Sequence, residues 1–221
     1  MISKSETTAG KILEAALALF RDQGFQAATM RGIAERAGVA TGAAYYYYSS
    51  KDAIVMDFYQ RACDDMQDSL RQSLAGVSNL EAGLASLIRV KFAYFASHRE
   101  VLRALLRNGA DPKSPLSPFS AESKPIRDLD ISWFGQLIKQ TRAQVPRDLA
   151  PHLPGVLWFF QMGVILFWIT DDSAEQSRTQ RLLPLACKVA SSLVRLSSFP
   201  LMRPLRKPVL EIIDIVVGEE P

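Results

Sequence analysis

Apolar residues recur along this chain every three or four positions, the period of helices with one buried side. Ile12, Leu13, Ala16, Leu19 and Phe20 share one face, and Gly24 follows as a stop. Thr29 stands where a cap is needed for the short segment MRGIAERAG, which Gly38 ends. A third short helix is predicted over residues 41–48, and Ser50 caps a longer one reaching residue 74. Further helices are expected over residues 80–97 and 99–108. The stretch DPKSPLSPFSAESKP, 111–125, holds four prolines and four serines and reads as a loop. Helices resume over 126–143, 149–169 and 174–196. The tail PLMRPLRKP has proline at every fourth position and reads as extended. In the final VLEIIDIVVG, Val209, Ile212, Ile213, Val216 and Val217 fit one helical face, while their β-branching equally suits a strand. No strand pair and no internal repeat is evident, so the fold class is all-α.

Residues 30–49 fit a helix-turn-helix. Two helices crossing near a right angle need a small residue at their contact, which Ala34 supplies. The tight turn needs a residue tolerant of positive φ, and Gly38 stands four positions on. Ile33, Ala37, Val39 and Ala44 provide apolar contacts, and the preceding amphipathic helix packs behind the pair.

The next feature is four consecutive tyrosines, Tyr45 to Tyr48. Successive helical residues step about 100° around the axis, so no single core can bury all four rings. Tyr48 lies one turn after Ala44 and faces inward, where its hydroxyl requires a partner. Tyr45, Tyr46 and Tyr47 are left to face outward, or else serve only to hold a small domain together.

Residues 11–54, about a fifth of the chain, resemble the TetR family of bacterial transcriptional repressors. The resemblance rests on Phe20 and Gly24-Phe25, a capping Thr29, and the core Ile33 to Val39. It continues through Gly42, the aromatic cluster Tyr45 to Tyr48, and Ser50-Lys51-Asp52. It implies an N-terminal three-helix DNA-binding domain, 1–52, joined to a larger helical ligand-binding and dimerisation domain, 53–221. It also implies that Tyr47 contacts phosphate, donating its phenol hydroxyl while the ring packs on sugar. Lys51 would add a point charge beside the free N–H groups of the following helix.

Two positions depart from the family pattern. A serine often precedes the recognition helix, with lysine or arginine next; here these are Ala40 and Thr41. The missing hydroxyl costs the helix about 1 kcal/mol unless Thr41 caps it instead. No lysine or arginine lies between Arg36 and Lys51, so this helix cannot make the common bidentate arginine–guanine contact. Readout is expected through the Thr41 hydroxyl, the Ala43 methyl and the tyrosines, with apolar contact to thymine methyls and DNA shape contributing, and Gly42 and Thr29 are counted with them in the DNA-binding set. Arg31 is either a phosphate contact or a solvated arginine, and Lys4 either an arm to DNA or part of a loose tail.

The chain has 221 residues, 48% of them hydrophobic, enough to build a sizeable core. A net charge of +3 argues only weakly for nucleic acid. Seven basic and no acidic residues occur from Arg178 to Lys207, either a DNA- or lipid-facing patch or a solvated face paired with acids such as Asp171 and Asp172. Cys63 and Cys187 are far apart and read as reduced thiols of a cytoplasmic protein without a signal peptide. His98 and His152 have no metal-ligand spacing, so no metal and no cofactor is expected. The run VLWFFQMGVILFWIT, 156–170, is shorter than the roughly 20 residues of a membrane-spanning helix and holds Gln161 at its middle. It reads as a buried or interfacial helix, not a membrane anchor.

One helix-turn-helix neutralises few phosphates, so the functional form is expected to be a twofold homodimer. The apolar helices near 150–170 and 174–196 are the candidates to form a four-helix bundle across it. Phe92, Phe95, Trp133, Phe134, Trp158, Phe159 and Met162, with Gln161 as polar contact, either line an effector pocket or form plain core. The sequence thus supports a repressor that binds a palindromic operator and is released by a small hydrophobic effector. An interaction adaptor of the same fold is the alternative. An enzyme is disfavoured because no nucleophile–base pair, phosphate loop or metal cluster is present.

Overall fold

A computed structural model describes residues 4–109, 114–202, 204, 206–208 and 210–211. Among them no strand occurs, and the chain is all-α. The helices are α1 (Lys4–Gln23), α2 (Met30–Ala37), α3 (Thr41–Tyr47), α4 (Lys51–Leu74), α5 (Leu80–Phe95), α6 (Arg99–Gly109), α7 (Lys124–Gln140), α8 (Leu153–Thr170) and α9 (Ser177–Ser197). They form two compact units, one of residues 1–65 with 95–127, the other of 66–94 with 128–221. The expected division at 52/53 falls inside the first, because α4 leaves the helix-turn-helix region without a break.

The first unit is built on the stripe read from the sequence. Ile12, Leu13, Ala16, Leu17 and Phe20 of α1 are buried, with the Phe20 ring 5.0 Å from that of Phe25. Gly24 turns the chain at φ 83°, a conformation other residues adopt at a cost. Ile54, Val55, Phe58 and Ala62 of α4 and Val101, Leu102 and Leu105 of α6 complete this core. The proline-rich loop before α7 is pinned by Arg127, whose Nη1 donates to the carbonyls of Pro118 (2.7 Å) and Ser120 (3.0 Å).

In the second unit α5, α7 and α8 bury Leu84, Leu87, Ile88, Phe134, Leu137, Leu157, Trp158, Val164 and Trp168. At Gly83 α5 lies close against α7, where a Cβ would run into the Leu137 side chain. At the α8–α9 corner the Asp171 carboxylate accepts from the backbone and hydroxyl of both Ser173 (3.0 and 2.7 Å) and Thr179 (2.8 and 2.7 Å). Burial works to raise this carboxyl's pKa, but those donors outweigh it and hold it below the usual carboxylate range. Neither Cys63 nor Cys187 forms a disulfide, and burial pushes the Cys187 thiol up to about 11.

The tail departs from expectation. Pro200–Met202 form a 3₁₀ turn and residues 204 and 206–208 are helical, where an extended chain was predicted. Proline fixes φ near −65°, a value shared by polyproline and by the first turn of a helix, so spacing alone does not choose between them. The segment 212–218, left open between helix and strand, lies outside the described residues, as does the Lys4 side chain.

Candidate nucleic-acid interface

The α2–α3 pair is set by its caps. Thr29 is extended (φ −121°, ψ 153°) and its Oγ1 accepts from Gly32 N at 3.1 Å. At the other end Gly38 adopts φ 69°, donating to Glu35 O, while Val39 N donates to Ala34 O. This closes the α2 carbonyls with the left-handed residue that a Schellman-type ending requires. Ala34 and Ala44 are buried where the helices meet, with Ile33 beneath them.

α3 begins at Ala40, which makes no side-chain cap bond, and Thr41 is exposed on the first turn without taking over that role. The helix is thus held by its contacts and not by its start. Ala40→Ser is expected to stabilise the protein by about 0.5–1 kcal/mol, read as a melting temperature higher by about 2 °C.

The four tyrosines divide as helical geometry requires. Tyr48 is buried; its hydroxyl donates to Asp57 Oδ2 at 2.6 Å, and Arg61 Nε holds the same oxygen at 2.9 Å. Burial first, then the Asp57 hydrogen bond, raises the Tyr48 phenol pKa well above its usual value, so it stays protonated as donor. Tyr45 is 53% and Tyr46 83% exposed. Tyr47 is half-buried, its ring edge-on to Tyr46 at 5.2 Å and 88°. Thr41, Gly42 and Arg31 are exposed and Ala43 is half-buried beside them.

Lys51 is placed differently from its expected position beside the α4 N–H groups. Its Nζ donates to Phe25 O at 2.7 Å and to Gln26 O at 3.3 Å, and lies 4.6 Å from the Phe25 ring centroid. The ammonium clamps the α1–α2 corner, satisfying carbonyls that no helix closes. Arg36 is likewise engaged, bridging to Asp22 at 2.8 Å.

The eight pocket candidates fall in both compact units. Phe95 belongs to the first unit, packed on Phe58 with ring centroids 5.9 Å apart. In the second unit Phe92 stacks on Trp168 (4.9 Å, 22°), a partner the sequence did not single out. Trp158 meets Phe159 edge-on at 5.2 Å; Trp133, Phe134 and Gln161 are buried, and Met162 and Phe159 partly so. A cleft of about 1000 Å³ in the same unit involves none of these candidates; Asn79, Glu81, Arg89, Lys188 and Arg195 are among its walls. Sequence reasoning also missed the pairing of buried Lys91 with the part-buried Asp130. Its trace was present: Leu84, Leu87, Ile88 and Lys91 share one helical face, so a cation stands in an apolar stripe.

Residues 12–57 match the family profile described as "Bacterial regulatory proteins, tetR family", and residues 84–216 match "Tetracyclin repressor-like, C-terminal domain". The transcriptional repressor KstR2 of Rhodococcus jostii is 31% identical over 104 residues, 44% of this chain and 51% of its own. The transcriptional activator FasR of Mycolicibacterium smegmatis is 30% identical over 99 residues, 45% of each chain. The chain spans about half the length of the curated relatives it matches. Among solved structures, the fatty acid degradation regulator FadR of Bacillus halodurans aligns at TM-score 0.64 and 15% identity, over 83% of this chain and 94% of its own. A TetR regulator from Nitrosomonas europaea aligns at TM-score 0.62 and 17% identity, over 83% and 98%. At those identities the likeness establishes the fold.

Proposed function

The chain belongs to the TetR family of transcriptional regulators, and on that premise we propose that it is a repressor that binds a palindromic operator as a homodimer and is released by a small hydrophobic effector. The observation that carries the reading is the outward tyrosine ridge. α3 buries Ala44 against α2 and turns Tyr45 and Tyr46 to solvent, where a soluble protein gains nothing from bare rings unless a surface meets them. In this reading Thr41, Gly42, Ala43, Tyr45 and Tyr46 enter the major groove, while Thr29, Arg31 and Tyr47 flank it at phosphates. Lys51 acts from its clamp, fixing the corner on which α2 and α3 are mounted. Residues 1–52 are the DNA-binding part; residues 53–221 dimerise through α8 and α9 and hold the effector, in the cytoplasm.

Because α3 carries no lysine or arginine, affinity must come from the dimer, from flanking phosphate contacts and from base stacking or methyl contact by the tyrosines. The same lack favours the adaptor as a second reading. Fluorescence anisotropy with the DNA upstream of the protein's own gene separates the two. The dimer is expected to bind in a salt-sensitive, sequence-preferring manner. Tyr46→Ala is expected to weaken binding about tenfold, and Tyr47→Phe about threefold, without altering the dimer. Binding indifferent to both changes, or no preference for any sequence, would exclude the repressor.

A further inference from the structure

The effector-binding part contains a polar cluster in an apolar setting. Lys91, 5% exposed, bonds through Nζ to Asp130 Oδ1. The other carboxylate oxygen, Asp130 Oδ2, accepts from Gln161 Nε2 at 2.8 Å. Gln161 itself is fully buried, at 0% exposure, in the middle of α8. That bond fixes the amide's orientation, since a flip would set its oxygen against the carboxylate. The other half of the amide is therefore an acceptor, and Gln161 Oε1 is buried with no hydrogen-bond partner. Buried acceptors are almost always satisfied, so one that is not marks a place for a donor.

The surroundings define what brings that donor. One helical turn from Gln161 lie buried Leu157, Trp158 and Val164; one turn from Asp130 lie buried Trp133 and Phe134. The neighbouring buried side chains are aromatic and aliphatic. Lys91 and Asp130 neutralise each other, so a charged ligand finds no free counter-charge. A carboxylate would meet Asp130 and a carbonyl oxygen, both repelling it, and an ammonium would leave a net positive charge buried.

We infer that the effector is an uncharged apolar molecule bearing one hydroxyl or N–H donor, which Gln161 Oε1 accepts. This rests on the reading that the effector binds within residues 53–221, and goes further by naming its chemical class and its anchoring atom. Thermal melting of the full-length protein tests it with three donors: decan-1-ol, 4-propylphenol and indole. Each is paired with its O- or N-methylated counterpart and with a carboxylate of similar size. At least one donor is expected to raise the melting temperature about 2 °C more than its methylated counterpart and more than the carboxylate. That advantage should vanish in Gln161→Leu and in Gln161→Met, the second variant guarding against a misfolded first. The inference is overturned if no donor surpasses its methylated counterpart, if a carboxylate stabilises most, or if the advantage survives both substitutions. Operator binding measured on the same samples keeps the two readings apart. If it persists without any donor preference, only the ligand class is lost; if it is absent, the regulator reading falls first.

Discussion

Asp130→Ala is expected to cut the stability of the protein by about 3–5 kcal/mol, among the largest effects any single side chain here should produce. The change strands the Lys91 ammonium, whose side chain is only 6% accessible. It also removes the acceptor of Gln161 Nε2, leaving both ends of one buried amide unpaired. An unpaired buried amide group costs about 1–3 kcal/mol on its own, and a stranded charge more. Removing both charges is a different experiment. Lys91→Met with Asp130→Leu removes both charges and leaves only the Gln161 amide unpaired, so the double variant should lie within about 1–3 kcal/mol of the parent. Urea titration reads both, as a shift of midpoint at constant slope. If Asp130→Ala alone costs under about 1 kcal/mol, water reaches Lys91, and the apolar setting argued for Gln161 is wrong with it.

The same cluster shows what the sequence could and could not reveal. The helix-turn-helix was legible because its determinants are local. Thr29 caps three residues ahead, Gly38 turns one residue past its helix, and Tyr48 follows Ala44 by one turn. Each requires only a helical period and a backbone rule. The burial of Tyr48 followed from that period, but its partner Asp57 came from the structure, nine positions on. Lys91 and Asp130 stand 39 positions apart, and nothing in either helix's own pattern names the other. Lys91 could be recognised as misplaced in its stripe, but not as paired. Lys51 is a related case: first-turn placement on α4 suggests a point charge beside that helix's N–H groups, whereas its acceptor, Phe25 O, is fixed by how α1 and α2 meet. The pocket candidates rest on residue type, which separates aromatic from polar residues but not one compact unit from another, and Phe95 falls in the first unit while the others fall in the second.

The α9 surface leads to the second large effect. Leu185, Val189, Leu193 and Leu196 recur at four-, four- and three-residue steps and are all exposed, with Val189 and Leu193 at 58% and 59%. The opposite side of the helix buries Leu183, Cys187 and Val194. α9 therefore has two apolar faces, and intrachain packing accounts for one. Leu166 on α8, also exposed, adds to the bare surface. By length and composition alone α8 could cross a membrane. Gln161 at its centre, bonded to Asp130, is a reason to seat it in protein instead. A helical pair with a bare apolar stripe fits a second copy of itself through a twofold axis, as a four-helix bundle.

Val189→Asp with Leu193→Asp places four carboxylates on that contact, two from each copy, where any closure would desolvate them. Both positions are solvent-facing in the single chain, so circular dichroism and the melting transition of the monomer should remain cooperative. Sedimentation equilibrium is expected to report one chain mass, 24.5 kDa, in place of twice that value. Operator affinity should fall by about 10²-fold or more, because each half-site is then bound without the help of the other. A double variant that still sediments as a dimer moves the interface off α9. A monomeric variant that binds the operator as tightly as the parent leaves the dimer in place but removes its purpose, since one α3 without a lysine or arginine would then be sufficient.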